Sequence, residues 1–290
     1  MATCPTITRP TVTSPTVTII GCGKVGKTIG RLWHANGLAT IQDIVNTSIA
    51  SAQRAVEFIG AGTAAAGFDN LRAADIVLIS VPDDRIAASS EALAESDRLA
   101  AGSVVFHCSG ALPSSVLQAL RDCGAAIASV HPVRSFASPE NVVRTFSGTY
   151  CGVEGDRQAL DILQPLFAAV DAHFVEIEVE QKVLYHAGAV FASNYLVTLL
   201  DTAMQTYGAA GVPPEIALKM MASLVRETTE NVLQIGPEQA LTGPIARGDV
   251  ATVVNQYRHV KRWNRRYGAL YRKLGNLTAA LARRRNSRTS

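Results

Sequence analysis

The stretch TVTIIGCGKVG, residues 16–26, joins a β-branched apolar run to the pattern G-x-G-x-x-G. The run predicts a β-strand, and the residues that follow predict a helix ending near Gly37. A strand, a glycine-rich turn and a helix in this order are typical of a dinucleotide-binding motif. Gly21 permits the tight turn, Gly23 lets the backbone approach a pyrophosphate, and Gly26 lets helix and strand pack closely. The predicted cofactor-binding residues of this loop are Gly21, Cys22, Gly23, Lys24, Val25 and Gly26.

The chain from residue 16 to about residue 178 alternates short β-branched runs with Ala-rich helical stretches. This alternation predicts βαβ units and a doubly wound, mostly parallel sheet of the Rossmann type, in the α/β class. The predicted strands are Thr16–Gly21, Ile41–Asn46, Asp75–Val81, Ser103–His107, Ala126–His131, Thr149–Val153 and His173–Ile177. The predicted helices between them are Lys24–Ala35, Ile49–Ile59, Pro113–Asp122 and Arg157–Val170.

Strand patterns stop after Glu178, and helical patterns replace them. Residues 180–207 predict one long helix, 216–233 a second, and 250–281 one or two more. The second domain is therefore expected to be all-helical. The predicted organisation is a disordered Thr- and Pro-rich leader at 1–15, a dinucleotide-binding domain at 16–178, a helical substrate and dimerisation domain at 179–282, and a basic disordered tail at 283–290.

Composition excludes several classes of protein. Hydrophobic residues make up 48% and charged residues 18%, which is typical of a globular protein and not of a disordered one. The five cysteines contain no Cys-x-x-Cys pair, which argues against a zinc site or a disulfide framework and favours a reducing compartment. The apolar stretch 183–200 contains His186, Ser193 and Asn194, which lipid-facing spans tolerate poorly. We therefore predict a buried core helix there, in a soluble cytoplasmic protein that binds no metal.

Charge is distributed unevenly along the chain. Residues 258–290 carry 11 Lys or Arg and no acid, whereas the remainder carries 16 basic and 24 acidic side chains. Trp263, Tyr267 and Tyr271 recur every four residues in this basic segment. Aromatic and basic side chains together can bind nucleic acid, but this spacing is also one face of an amphipathic helix. Packing is favoured, and a nucleic-acid partner is not expected.

The end of the second strand should select the cofactor, because NAD enzymes place an acid there. If the strand ends at Val45, Asn46, Thr47 and Ser48 occupy this position, and no carboxylate repels a 2′-phosphate. That register favours NADP, with Lys24 or Arg54 supplying positive charge. Asp43 becomes the selecting acid, favouring NAD, if the strand ends three residues earlier.

Other predicted strand ends should line the same crevice. Val81, Pro82 and Asp83 follow one strand, Ser109 and Gly110 the next, and His131 a third. Each could be an ordinary turn, but three polar turns along one edge of one sheet favour a site. Val81, Pro82, Asp83, Ser109 and Gly110 are accordingly predicted to contact the cofactor.

Six segments carry a resemblance to a known family. They are GCGKVG, DIVLISVPDDRI, VVFHCSGAL, SVHPVRSF, KVLYHAGAVFASNYLVTLLDTA and LTGPIARGD. With them the chain resembles bacterial Rossmann-like proteins that carry a carboxyl-terminal helical domain of unknown function. That family is similar in build to pyrroline-5-carboxylate reductase, prephenate dehydrogenase, ketopantoate reductase and the β-hydroxyacid dehydrogenases. The resemblance implies an NADP-dependent oxidoreductase whose helical domain, like that of 6-phosphogluconate dehydrogenase, closes the site and forms a homodimer.

The predicted catalytic residues are His186, Lys182, Asn194, His131 and Ser109. Lys182 and His186 are four residues apart and so share a helix face. Where β-hydroxyacid dehydrogenases have Lys followed four residues later by Asn, this chain has His186, and Asn194 lies further on. His131, in a His-Pro pair similar to that of prephenate dehydrogenases, is an alternative acid, and Ser109 could hold a substrate oxygen or the nicotinamide amide.

A second group of candidates follows in the helical domain. By resemblance to pyrroline-5-carboxylate reductase, the loop holding Thr242, Gly243, Arg247 and Asp249 lines the site, where an Arg can clamp a carboxylate. An internal Arg247–Asp249 pair with a capping Thr is the structural alternative.

Two functions fit these residues. The first is hydride transfer between NADP and a C=O or C=N group of a small, anionic metabolite. The second is an NADP(H)-binding sensor without turnover.

Overall fold

The computed structural model describes residues 14–288. Most of the predicted leader, residues 1–13, lies outside the described residues, as do the last two residues of the predicted tail. The described chain divides into two compact units, and the division falls after Phe191. The helix that contains Lys182 and His186 therefore belongs to the first unit, although the sequence assigned it to the helical domain.

An eight-stranded sheet forms the first unit, in the order β3-β2-β1-β4-β5-β6-β7-β8. Neighbouring strands are parallel except β6 and β7, which are antiparallel. This is the doubly wound, mostly parallel sheet that the alternation predicted. The strands are β1 Thr16–Ile20, β2 Thr40–Val45, β3 Thr63–Ala65, β4 Ile76–Ile79, β5 Val104–His107, β6 Ala126–Pro132, β7 Thr149–Gly155 and β8 Ala172–Glu176.

Helices cover both faces of this sheet. Of these, α1, α2 and α6 match predicted helices, and a 3₁₀ turn followed by α4 occupies the predicted helix 113–122. The sequence analysis missed β3, α3 and α5. The helices are α1 Lys24–Ala35, α2 Ile49–Ile59, α3 Asp83–Glu95, α4 Gln118–Asp122, α5 Pro139–Arg144, α6 Arg157–Ala168 and α7 Lys182–Ala192.

The core consists of two apolar layers, one on each face of the sheet. Trp33 of α1 packs edge-on against Phe167 of α6, with ring centroids 5.4 Å apart, and Phe106 of β5 lies beside both rings. All four residues of β4 are buried, as expected for a central strand covered on both faces. The buried strands thus hold their carboxyl ends together along one edge of the sheet.

The second unit is helical, as predicted, but its long first helix is broken. Ser193 has φ −120° and ψ −71°, and separates α7 from α8. Gly236 (φ 80°) kinks the helix that continues through Pro237. The helices of this unit are α8 Asn194–Ala209, α9 Pro214–Ala240, α10 Gly243–Arg247, α11 Val250–Trp263 and α12 Arg265–Arg288. Because α12 runs to Arg288, the segment 283–288 is helical where the sequence predicted a disordered tail.

The predicted burial of the apolar stretch 183–200 is wrong for the single chain. Val183 is 69% exposed and Val197 is 67% exposed, and α8 buries none of its residues. Apolar spacing marks a face that avoids water without specifying what covers it. The segment Val179–Ala209 is also long and apolar enough, by length and composition alone, to cross a membrane, and its most apolar window is not buried in the chain.

Candidate functional site

The glycine loop lies where the strand order reverses, between β1 and β4. Gly21 has φ +76°, and a Cβ there would lie 2.3 Å from Val81 Cγ1 and 2.8 Å from the Val81 backbone nitrogen. A Cβ on Gly26 would lie 2.5 Å from Ser80 Oγ. Nothing lies within 4 Å of the place that a Cβ on Gly23 would take. The tight turn requires glycine at position 21 and the helix–strand packing requires it at position 26. The space beside Gly23 is open.

Asn46 braces this loop. Its Oδ1 accepts a hydrogen bond from the Cys22 backbone N–H at 2.6 Å, and its Nδ2 donates to Ser51 Oγ at 3.1 Å. Ser80 Oγ donates to the Gly21 carbonyl at 2.7 Å on the other side. Both polar atoms of the Asn46 side chain thus already have protein partners, so this residue holds the loop. Its neighbours Thr47 and Ser48 are exposed at the end of β2.

No carboxylate is available at that strand end. β2 ends at Val45, in the register that favoured NADP. Asp43 is 2% exposed, and its carboxylate accepts hydrogen bonds from the Arg72 guanidinium and the Arg72 backbone N–H. The Asp43 carboxylate is thus already paired within the protein. Thr47 and Ser48 are exposed, and Ser48 Oγ accepts from the Ser51 N–H to cap α2.

Ser109 joins the ends of β4 and β5. Its Oγ donates to Asp83 Oδ2 at 2.8 Å and accepts from the backbone N–H groups of Ala111 and Leu112 at 3.2 and 3.0 Å. A hydroxyl has one donor and two acceptor sites, so these contacts use its full capacity. Ser109 is also buried. Its side chain therefore shapes the turn, whereas the sequence proposed it as a substrate contact.

Two imidazoles meet beside Gly110. A Cβ on Gly110 would lie 2.2 Å from His186 Nδ1 and 2.8 Å from His131 Nε2. The two rings are 5.4 Å apart and nearly perpendicular. His186 Nδ1 is buried without a hydrogen-bond partner, and burial is the main cause that lowers the pKa of His131 to about 4. The structure thus brings together two of the predicted catalytic residues at one strand end.

Lys182 lies beneath this pair in a buried ionic network. Its Nζ donates to Ser129 Oγ at 2.7 Å and lies 3.2 Å from Glu154 Oε1. The Glu154 carboxylate also accepts from the N–H and Oγ of Ser114, both at 2.7 Å. Burial lowers the pKa of Lys182, and Glu154 opposes that effect. Lys182 shares the sheet-facing side of α7 with His186, as its spacing predicted, but the ammonium is enclosed.

Sequence reasoning missed Glu154, Tyr185 and His107. His107 Nε2 lies 3.1 Å from the Pro113 carbonyl and must donate to it, while Nδ1 accepts from the Ser109 N–H. Burial lowers the pKa of His107 to about 4, so the ring is neutral and structural. No local pattern marks Glu154 and Tyr185, because their partners Ser114 and His131 are 40 and 54 residues away in the chain. Burial also raises the pKa of Cys22 to about 12 and that of Cys108, which argues against either as a thiolate nucleophile.

The remaining candidates lie in the second unit. Asn194 opens α8, and Arg247 is exposed at the end of α10. Asp249 Oδ1 accepts from the Thr252 N–H at 3.0 Å and caps α11. Thr242 precedes α10 without a side-chain capping bond, and Gly243 has φ +88°. Asp249 is therefore the capping residue of this loop, whereas the alternative interpretation of the sequence had a capping Thr.

The fold and the loop together define a Rossmann-type protein. A Rossmann-like domain model matches residues 4–132, and a model of the domain of unknown function DUF2520 matches residues 149–278. The chain thus combines a segment similar to Rossmann-like domains with a segment similar to DUF2520 domains. None of the curated proteins compared by sequence matches it.

Solved structures share this build. A Thermotoga maritima protein is 26% identical with a TM-score of 0.74, over 93% of this chain and 99% of that one. A candidate NADP oxidoreductase from Bacteroides fragilis is 17% identical with a TM-score of 0.74, over 93% and 100% of the chains. The pyrroline carboxylate reductase of Plasmodium falciparum, solved with NADP bound, is 11% identical with a TM-score of 0.57, over 93% and 99%. At such identities the last two show a common fold.

Proposed function

We propose that this protein is an NADP-dependent oxidoreductase that moves a hydride between the nicotinamide and the carbon of a C=O or C=N group in a small, anionic metabolite. The observation that carries the proposal is the open side of Gly23, at the place where the strand order reverses between β1 and β4. Ligands of open α/β sheets bind at such reversal points.

The loop fits a dinucleotide. α1 begins directly after Gly23, so its first backbone N–H groups and the positive end of its dipole are available to phosphate. Its first turn contains no acidic residue, and Lys24 is exposed there. A bound NADP supplies the hydride chemistry, and the protein supplies binding, orientation and a proton.

The end of β2 favours NADP over NAD. The carboxylate of Asp43 is paired with Arg72 and cannot repel a 2′-phosphate. Thr47 and Ser48 present exposed polar groups at the start of α2. Lys24 and Arg54 are exposed and supply positive charge.

The imidazole pair His131 and His186 is the proposed place where the chain holds a proton for the substrate. Both lie at the end of β6 on the sheet edge that also carries the glycine loop. Because its pKa is lowered, His131 is neutral near pH 7, where it can donate its N–H in a hydrogen bond to the substrate. Arg247 stays a predicted substrate-binding residue and Asn194 a predicted catalytic residue; an exposed guanidinium suits a substrate carboxylate.

Thermal unfolding with and without NADPH or NADH tests cofactor binding. A ligand at about 100 times its Kd adds about 2.7 kcal/mol, which raises the midpoint by about 5–10 °C for a domain of this size. Gly23→Val should abolish the shift, because it fills the open side of the loop. Gly67→Val is the matched control, since Gly67 is also open and has extended backbone. An unchanged shift in Gly23→Val would contradict the placement of the pyrophosphate.

Cofactor preference is tested by adding a carboxylate. Thr47→Asp should reverse the preference towards NADH, because the new charge repels a 2′-phosphate and accepts from a 2′-hydroxyl. Gln53→Asp adds the same charge further along α2 and should leave the preference unchanged. Asn46→Ala should weaken both cofactors equally, since Asn46 braces the loop. A wild-type protein that binds NADPH but turns over no oxo acid or cyclic imino acid would favour the sensor instead.

We also propose a soluble homodimer formed through the helical unit. Val197, Leu218, Leu224 and Leu233 are each more than half exposed on α8 and α9. Large exposed apolar side chains in such number mark an interaction surface, and symmetric self-association is its commonest form. Sedimentation velocity should give a dimer, which Leu224→Glu dissociates and Glu227→Lys does not. A monomeric wild type would contradict this, and binding to lipid vesicles would indicate a membrane surface.

A further inference from the structure

The Tyr185 hydroxyl lies next to His131 and Gly152. The phenol oxygen lies 2.9 Å from His131 Nδ1, and the two rings are perpendicular with centroids 5.7 Å apart. Tyr185 reaches this place from α7, whereas His131 lies on β6, 54 residues earlier. This contact lies wholly within the first unit.

A glycine makes room for the phenol. Gly152 of β7 is the direct antiparallel partner of His131 on β6. A Cβ on Gly152 would lie 2.3 Å from Tyr185 Oη, so any other residue there would displace the hydroxyl. The backbone conformation of Gly152 does not itself require glycine, since its φ is not positive. The space occupied by Tyr185 is the reason that the structure gives for glycine at this position.

The direction of the hydrogen bond follows from the protons available. Burial raises the pKa of Tyr185, so the phenol keeps its proton at neutral pH. A neutral imidazole carries one N–H, and its other nitrogen accepts. Within residues 14–288 the phenol proton has His131 as its side-chain acceptor. Tyr185 therefore donates to Nδ1, which leaves the ring proton on Nε2.

The opposite nitrogen of His131 is turned towards Gly110. Nε2 lies 2.8 Å from the place of a Gly110 Cβ, and it has no hydrogen-bond partner among the described residues. Nε2 of His131 is not fully buried, whereas Nδ1 of His186 is. The Nε2 atom of His131 is thus an accessible ring nitrogen.

We propose that Tyr185 is a positioning residue that holds His131 in the tautomer with the proton on Nε2, so that the imidazole donates a hydrogen bond to the carbonyl oxygen or imine nitrogen of the substrate. This inference rests on the proposed oxidoreductase function for its last clause only. Which nitrogen of His131 carries the proton is a property of the chain without ligand. It can therefore be tested separately.

The tautomer is measured by long-range ¹H–¹⁵N NMR on the full chain with ¹⁵N-labelled histidine at pH 7.5, where bare and protonated ring nitrogens resonate far apart. The signals that disappear in His131→Asn identify His131 among the six histidines. We expect a bare Nδ1 and a protonated Nε2 in the wild type, and a mixture of tautomers in Tyr185→Phe. Gly152→Ala should give the same change with Tyr185 intact.

The matched control is Tyr150→Phe. Tyr150 lies on β7, its ring packs against His173 and not against His131, and it is 59% exposed. Its loss should leave the His131 signals unchanged. A protonated Nδ1 in the wild type, or an unchanged His131 spectrum in Tyr185→Phe, would overturn the inference.

The NADPH-dependent thermal shift separates this inference from the proposed function. Tyr185→Phe should keep the wild-type shift, because Tyr185 does not contact the glycine loop. If the wild type shows the expected tautomer but no NADPH shift, the oxidoreductase proposal fails and the role of Tyr185 as a positioning residue remains. If NADPH binds but the tautomer does not depend on Tyr185, the inference about Tyr185 fails alone.

Discussion

Removing the charge of Glu154 should destabilise the first unit strongly. Glu154→Gln keeps an oxygen that accepts from the Ser114 N–H, so the main change is the loss of the carboxylate that faces Lys182. The Lys182 side chain is 1% exposed, so its ammonium would be left uncompensated. Breaking a buried pair in this way costs about 3–5 kcal/mol. For a domain of this size the expected fall in Tm is about 6–20 °C.

The stability that Glu154→Gln loses should become smaller as the pH rises. Burial lowers the pKa of Lys182 in the folded protein below its ordinary value of 10.5, and Glu154 opposes this. Without Glu154 the folded pKa falls further, so the unfolded chain binds more protons over a wider range of pH. The free energy of unfolding of the variant therefore rises with pH relative to the wild type, and the deficit shrinks towards pH 10.

Urea denaturation of wild type and variant at pH 6, 7.5 and 9 measures both effects. Asp161→Asn is the matched control, because it breaks the exposed Arg157–Asp161 pair on α6 and should change little. The double variant Lys182→Met with Glu154→Gln should recover most of the stability, since it removes the uncompensated ammonium and keeps an oxygen that accepts from the Ser114 N–H. A Glu154→Gln variant as stable as the control, with no dependence on pH, would refute a charged buried pair.

Two further substitutions have defined outcomes. Gly110→Ala should displace both imidazoles, because its Cβ would lie 2.2 Å from His186 Nδ1. The free energy of unfolding, measured by urea denaturation, should fall by about 1–3 kcal/mol. An unaltered midpoint would contradict the packing at this turn. Asp43→Asn should lower stability by about 1–2 kcal/mol through its hydrogen bonds with Arg72. It should leave the ratio of the NADPH and NADH dissociation constants unchanged, and a shift towards NADPH would restore Asp43 as a selecting acid.

Local patterns predicted much of the first unit. The bounds of α1 and α2 agree with those predicted from the apolar spacing, because apolar residues three and four apart share the helix face that packs on the core. The same kind of pattern misled at residues 180–207, where Ser193 divides a continuous apolar stretch into two helices. It also missed β3, since three small residues carry little periodicity.

The sequence by itself predicted the glycine loop, since the strand, the three glycines and the helix that define it follow one another directly in the chain. Only the tertiary structure decided which polar residues serve the candidate site. It enclosed Lys182 with Glu154, engaged Asn46 and Ser109 in supporting the turns, and placed Tyr185 against His131. These outcomes depend on which strands are neighbours and on where a glycine leaves space for a side chain from elsewhere. Such contacts join residues tens of positions apart, and no spacing within one segment encodes them.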